Sequence, residues 1–258
     1  MNGRTEEVLG KVPEVTLWFW IIKVAATTLG ETGGDAVTMS MNLGYAVGTA
    51  IFVTVFVIAV AAQVAAVRFR PFLFWFVVIA TTTAGTTLAD LLDRSLGIGY
   101  LGGSSILLTL LLVTLALWRG SLGSVALDSI TTRKAEYFYW ATIMFSQTLG
   151  TALGDWTADA KTGLGLGYDG GAIVFAVALA IVAAGYFWTS ISRTVLFWAA
   201  FILTRPLGAT VGDYLDKPRA DGGLALSRYV ATAALAAFIL IVVTLLPKRA
   251  ERVRITAD

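Results

Sequence analysis

The stretch FWIIKVAATTLGETGGD, residues 19–35, opens like an apolar membrane helix and closes on three glycines, a glutamate and an aspartate. It recurs as FWFVVIATTTAGTTLAD (74–90), YWATIMFSQTLGTALGD (139–155) and FWAAFILTRPLGATVGD (197–213). All four obey one pattern: Phe or Tyr, then Trp, nine residues, then G-x-[TA]-x-[GA]-D. Trp20, Trp75, Trp140 and Trp198 each stand fifteen residues before an aspartate: Asp35, Asp90, Asp155 and Asp213. Self-similarity at regular intervals marks copies of one supersecondary unit. A second signature follows in three copies, LGYAVGT (43–49), IGYLGGS (98–104) and LGYDGGA (166–172); the fourth has GGLALSR (222–228).

Composition gives these copies their setting. The 258 residues are 57% hydrophobic and 14% charged, with a mean hydropathy of +0.78. A soluble domain carries about 25% charged residues, so an integral membrane protein is expected. A spanning helix needs about 20 mostly apolar residues. Eight stretches qualify: 14–36, 44–67, 71–92, 100–118, 136–157, 168–188, 193–215 and 224–246. The expected fold is all-α, a polytopic membrane protein whose eight transmembrane helices form four parallel two-helix repeats. The repeats run over about 13–68, 69–119, 135–190 and 191–247, in a single transmembrane domain covering 1–258. Two spans per copy return the chain to its starting side, so the repeats are parallel and not inverted. MNGRTEEVLGKVPEV lacks the layout of a cleaved signal peptide.

Lys and Arg counts orient the chain. The side holding both termini carries twelve, among them Arg4, Lys248 and Arg249; the opposite connections carry only Arg94, Lys161, Lys217 and Arg219. Cytoplasmic termini and outward-facing aspartates are therefore expected.

Several chemistries are excluded. Cysteine and histidine are both absent, which removes thiolate sites, thiol catalysis and the commonest ligand for zinc, copper and haem. The net charge of +2, without a basic stripe, gives no sign of a nucleic-acid partner. GLGLGYDGG (163–171) is glycine-rich but follows no strand, so it is not a phosphate loop. No nucleophile–base constellation is present, so no cofactor and no enzymatic activity are expected.

Within each copy two small residues stand four apart: Gly30/Gly34, Gly85/Ala89, Gly150/Gly154 and Gly208/Gly212. Such spacing lets helix backbones approach closely. The aspartates are harder to assign to packing, because a charged side chain at bilayer depth costs about 2.5–3.5 kcal/mol on insertion scales. Fifteen residues of helix from Trp to Asp span about 22 Å, which puts the carboxylates near the outer boundary of the core unless tilt or a break brings them deeper. Residues three, four and seven before an aspartate share its helical face. Glu31, Thr28, Thr32, Thr83, Thr87, Thr148 and Thr210 fall there. If the four helices converge, these oxygens and the four aspartates line one axial cavity, with the aspartates as candidate metal ligands. Lys23 and Arg205, in otherwise apolar spans, should pair with Glu31 and the aspartates and act as coupling residues. Pro206 should open its helix. Asp35, Met39 and Asn42 form a further candidate ligand set if the first helix continues. Two structural readings stay open: acids capping the next helix, and a buried ion network.

At these residues the chain resembles a bacterial family of uncharacterised membrane-anchored proteins built from four copies of a repeat of unknown function. KVPEVTLWFWIIKVAATTLGETGGD (11–35) is similar to that family's opening repeat. The resemblance implies a multi-pass protein of the bacterial inner membrane and carries no activity. On the residues themselves, the expected function is a transporter with a central acidic cavity for a small cation. Oxygen ligands suit hard ions, Mn²⁺ among them, and the transport would be proton-coupled. The alternatives are a pseudo-fourfold cation channel and a non-transporting scaffold or assembly factor. Lipid and a small cation are the expected partners.

Overall fold

The computed structural model describes residues 5–245 and 250–256, so Arg4, Lys248, Arg249 and the expected end of the last span at 246 lie outside the described residues. Among these, eight long helices follow one another: α1 Leu17–Asp35, α2 Gly44–Ala65, α3 Pro71–Asp90, α4 Gly99–Leu122, α5 Arg133–Ala158, α6 Gly167–Trp188, α7 Arg193–Asp216 and α8 Arg228–Leu245. Each matches one of the eight expected spans. The purely helical expectation needs one addition. Strand β1 (Thr5–Pro13) pairs antiparallel with β2 (Ala250–Thr256), in register from Thr5 opposite Thr256 to Leu9 opposite Arg252. The segment before α1 and the one after α8 are therefore held together. Lys11 anchors this ribbon, donating to Glu136 Oε1 (2.6 Å) at the start of α5 and to the Val64 carbonyl (3.1 Å) at the end of α2.

The odd helices form a closed inner ring in which α1 packs on α3, α3 on α5, α5 on α7 and α7 back on α1. The even helices form an outer layer. Its helices do not lie mainly against their own hairpin partners: α2 covers α3, α4 covers α5, α6 covers α7, and α8 returns to cover α1. Each repeat is thus clasped by the one before it, and the last clasps the first. Among the described residues, six helices are long and apolar enough to cross a membrane: α2, α3, α4, α6, α7 and α8. In the most apolar window only 11% of α6 and α8 is buried, against 72% of α3 with its following turn. That contrast separates the outer layer from the inner one. Helices α1 and α5 carry Lys23, Glu31 and Asp35, and Arg133, Lys134, Glu136 and Asp155. Inner helices face neighbours more than surroundings, so their composition is free to be polar.

The repeat motif explains the ring. The aromatic pair of each copy reaches the tryptophan of the next: Phe19 to Trp75 (5.5 Å between ring centroids), Phe74 to Trp140 (5.7 Å), Tyr139 to Trp198 (6.2 Å) and Phe197 to Trp20 (5.7 Å). These tilted ring contacts close a collar at the end of the ring nearest the termini. Further along, the small residues meet the next inner helix. A Cβ added at Gly85 would stand 3.0 Å from both Gln147 Cβ and the Thr148 backbone nitrogen; one at Gly212 would stand 2.6 Å from Glu31 Cβ. Gly30 in the same way faces Thr82, and Gly150 faces Arg205. The G-x-x-x-[GA] spacing is what lets four backbones share one axis.

Candidate functional site

The four-residue rhythm stacks buried layers along the ring. Farthest from the collar lie Asp35, Asp90, Asp155 and Asp213. Four residues back come Glu31, Thr86, Thr151 and Ala209, then Thr27, Thr82, Gln147 and Arg205, then Lys23, Val78, Ile143 and Phe201. All sixteen are buried. The layers are not filled with unpaired oxygens as the axial-cavity expectation requires. Arg205 reaches from α7 across the axis, and its Nη2 donates to Glu31 Oε2 (2.9 Å, α1), Thr86 Oγ1 (2.5 Å, α3) and Thr151 Oγ1 (2.5 Å, α5). One guanidinium touches all three other inner helices and occupies the middle of the ring. The expected pairing of Arg205 with a carboxylate is present.

The matching expectation for Lys23 is corrected. Its ammonium has no carboxylate within ion-pair distance among the described residues. It donates to Gln147 Oε1 (3.5 Å) and sits 4.2 Å above the Phe201 ring. Lys23 lies three turns below the aspartate layer on α1, walled by apolar side chains, so it cannot reach Asp35. Pro206 is also corrected: α7 runs unbroken from Arg193 to Asp216 through it. The Asp35–Met39–Asn42 set does not assemble. After α1 the chain makes a wide π-helical turn, Ala36–Ser40, and Asn42 follows it with a left-handed backbone, φ +57°, exposed at the surface.

Most of the threonines that share the aspartate face turn their hydroxyls back. Thr83 donates to the Ile79 carbonyl, Thr148 to Met144 and Thr210 to Pro206, each within its own helix. Their partners mark the inner–outer boundary: Thr32 accepts from Thr232 on α8 (2.9 Å), and the methyls of Thr87 and Thr210 face Gly48 of α2 and Gly171 of α6. Thr28 is buried where α7 crosses, its backbone beside Gly208 and Gly212. The hydroxyls that do reach the axis are those four residues before Asp90 and Asp155, Thr86 and Thr151.

The aspartates come together in two pairs, each bridged by a base four residues after one member. Arg94 holds Asp90 Oδ1 through Nε (2.8 Å) and Asp155 Oδ2 through Nη2 (3.0 Å). Lys217 holds Asp213 Oδ1 (3.0 Å) and, in a shorter contact, Asp35 Oδ2. The corresponding positions in copies one and three are Met39 and Asp159. A pseudo-fourfold fold thus carries a twofold pattern of charge. Glu31 joins the second pair: one oxygen each from Glu31, Asp35 and Asp213 lie within 4.8 Å of one another, all buried. Burial alone would lower the Lys217 ammonium, but Asp213, Asp35 and Asp216 hold its pKa well above the ordinary value, so it is a cation. Arg228 completes this side, with Nε 3.4 Å from Asp216 Oδ2 and 3.8 Å from Asp35 Oδ2.

Arg94, Lys217 and Arg228 are absent from the expected site. The first two stood in the sequence as loop charges, although Asp–x–x–x–Arg and Asp–x–x–x–Lys spacing is the signal of an i, i+4 ion pair. Arg228 was hidden by the divergent fourth signature. The backbone restores the alignment: positive φ occurs at Asn42, Gly97, Gly165 and Ala225, and a buried small residue follows six later, at Gly48, Gly103, Gly171 and Ala231. Three after each positive φ stand Tyr45, Tyr100, Tyr168 and Arg228. The tyrosines lie near the aspartate of the next repeat, Asp90, Asp155 and Asp213 respectively. Arg228 does the same for Asp35, across the seam between last and first repeats.

Comparison with known proteins bears on the repeats alone. No curated protein and no solved structure matches the chain. A family model, described as Repeat of Unknown Function (DUF347), matches four times, at residues 18–69, 73–122, 138–192 and 196–252, one copy for each hairpin. The chain belongs to this DUF347 repeat family.

Proposed function

We propose that the protein is a membrane carrier for a small hard cation, which binds among Glu31, Asp35 and Asp213. The observation that carries this reading is the convergence of three buried carboxylates from two helices, with Asp35 Oδ1 accepting no hydrogen bond among the described residues. Carboxylate oxygens suit Na⁺, Ca²⁺ or Mn²⁺, and ionisable groups among spanning helices line ion or substrate pathways. All eight helices span the bilayer in this reading, α1 and α5 sheltered by the other six. The termini and their paired strands face the cytoplasm, and the aspartate layer opens outward. The excess of Lys and Arg on the terminal side supports that orientation, the more so because Arg94 and Lys217 are spent in ion pairs with buried aspartates. The lipid bilayer of a bacterial inner membrane is the setting. Neither nucleic acid nor catalysis enters this reading.

A carrier is favoured over a channel by Arg205. A guanidinium across the axis, with Lys23 one layer below it, opposes a continuous cation pore, so passage requires rearrangement. The opposed reading, a structural ion network in a scaffold, is favoured by the pairing of every aspartate in the ring with a base. Flux separates the two. Purified protein in proteoliposomes should move Na⁺, Ca²⁺ or Mn²⁺, with or without a pH gradient, and Asp213→Asn should abolish that flux while Lys217 still pairs with Asp35. Equal flux in wild type and variant would remove Asp213 from the transport site, and no flux of any cation in well-folded wild type would leave the scaffold.

A further inference from the structure

The two aspartate pairs differ in the base that bridges them. On the Asp90–Asp155 side the bridge is Arg94, whose Nε and Nη2 each hold one carboxylate. A planar guanidinium with donors in a fixed fork matches two carboxylates at once and is rigidly held by them. On the Asp35–Asp213 side the bridge is Lys217, a compact ammonium on a flexible four-carbon stem. It sits where a cation bound by Asp35 and Asp213 would sit. It also lies just beyond the regular helix: α7 ends at Asp216, Lys217 has an extended backbone (φ −71°, ψ 155°), and Pro218 follows.

We infer that Lys217 is a tethered cation which fills the Glu31–Asp35–Asp213 site, and that the transported cation enters by displacing it. This rests on the cation reading of that site. The surroundings give a displaced ammonium somewhere to go. Asp216, on the last turn of α7, is buried and neither of its oxygens accepts a hydrogen bond among the described residues. Arg228 from α8, one fifth exposed, is its only ion-pair partner among them. Other groups around Lys217 include Met39 Sδ at 4.0 Å, and Tyr168 of α6, Asp90 and Arg94 within electrostatic range. Lys217 moving from Asp35 toward Asp216 would leave Asp35, Asp213 and Glu31 to the incoming ion and keep the total charge of the site nearly constant. Displacement also makes the empty site self-closing, because the ammonium returns when the cation leaves. Around the Arg94 pair no third carboxylate oxygen comes as close as in the Glu31–Asp35–Asp213 trio among the described residues, although Asp93 lies within electrostatic range of Asp155 and Arg94. With a guanidinium in place of the flexible ammonium, it serves as the rigid half of the ring.

The test uses the full-length protein in detergent, titrated in turn with Na⁺, Ca²⁺ and Mn²⁺ by calorimetry. Removing a positive charge in direct contact with two site carboxylates should tighten binding by at least about tenfold in Lys217→Gln, even after screening. Lys217→Arg should weaken or abolish binding by locking the trio as Arg94 locks its pair, and this variant keeps the charge balance if the glutamine variant does not fold. Arg94→Gln should change affinity less than Lys217→Gln. Binding in Lys217→Gln no tighter than wild type, or binding in Lys217→Arg as tight as wild type, overturns the displacement role and leaves the cation site standing. No binding of any of the three ions by wild type or by a folded Lys217→Gln overturns the cation site itself.

Discussion

Replacing Arg205 by methionine isolates the interaction that fills the middle of the ring. Methionine keeps the stem and removes the guanidinium, and with it the 2.9 Å pair to Glu31 and the two 2.5 Å hydrogen bonds to Thr86 and Thr151. Glu31, whose side chain is 3% exposed, then has no base within pairing distance among the described residues. It keeps only the Thr86 hydroxyl at 3.2 Å. Breaking one partner of a buried ion pair costs about 3–5 kcal/mol, mostly as the penalty on the charge left behind. For a chain of this length 1 kcal/mol corresponds to roughly 2–4 °C, so Arg205→Met should lower the melting temperature by about 6–20 °C. Adding Glu31→Gln removes the stranded charge, and the double variant should recover most of that loss. The double-mutant cycle would therefore show a favourable coupling of more than about 2 kcal/mol. Intrinsic tryptophan fluorescence during a thermal ramp in detergent is a direct readout, since Trp20, Trp75, Trp140 and Trp198 all lie in the collar. A double variant as unstable as Arg205→Met alone would refute the axial pairing of these two residues.

Three further substitutions test the same packing. Gly85→Ala should destabilise by about 1–3 kcal/mol through overpacking, because the new methyl meets the backbone of the Gln147–Thr148 step, which cannot yield. Gly33→Ala, whose methyl meets nothing closer than 3.5 Å, should be neutral or gain up to about 1 kcal/mol from helix propensity. The reverse order of melting temperatures would contradict the ring geometry. Lys23→Met should leave the melting temperature unchanged or raise it, because an ammonium without a carboxylate partner is replaced by an apolar side chain of similar length. A drop comparable with that of Arg205→Met would reveal a counter-charge for Lys23 that the described contacts lack.

The sequence by itself determined the number of helices, their pairing into four copies and the division into polar-ended odd spans and apolar even ones. These are local properties: hydrophobic length sets the spans, and repetition of Trp and Asp at one spacing sets the copies. The close-approach role of Gly30, Gly85, Gly150 and Gly208 was equally legible, because small residues four apart have one geometric consequence wherever they occur in a membrane helix. What a side chain touches across the ring was not legible. Lys23 and Arg205 look alike in a sequence of apolar residues. Only the stacking of layers brings the Arg205 guanidinium within reach of Glu31, one layer above it, and leaves Lys23 beside Phe201 and Gln147. The threonines share a face with the aspartates on a helical wheel, yet an inner helix has neighbours on every side. Which face meets the axis and which meets the outer layer depends on how the helices cross. The seam was the most hidden feature. That α8 covers α1, that β1 pairs with β2, and that Arg228 stands in the place of a tyrosine beside Asp35 are all contacts between opposite ends of the sequence. No local pattern encodes such a contact, because it exists only once the fourth repeat has closed the circle on the first.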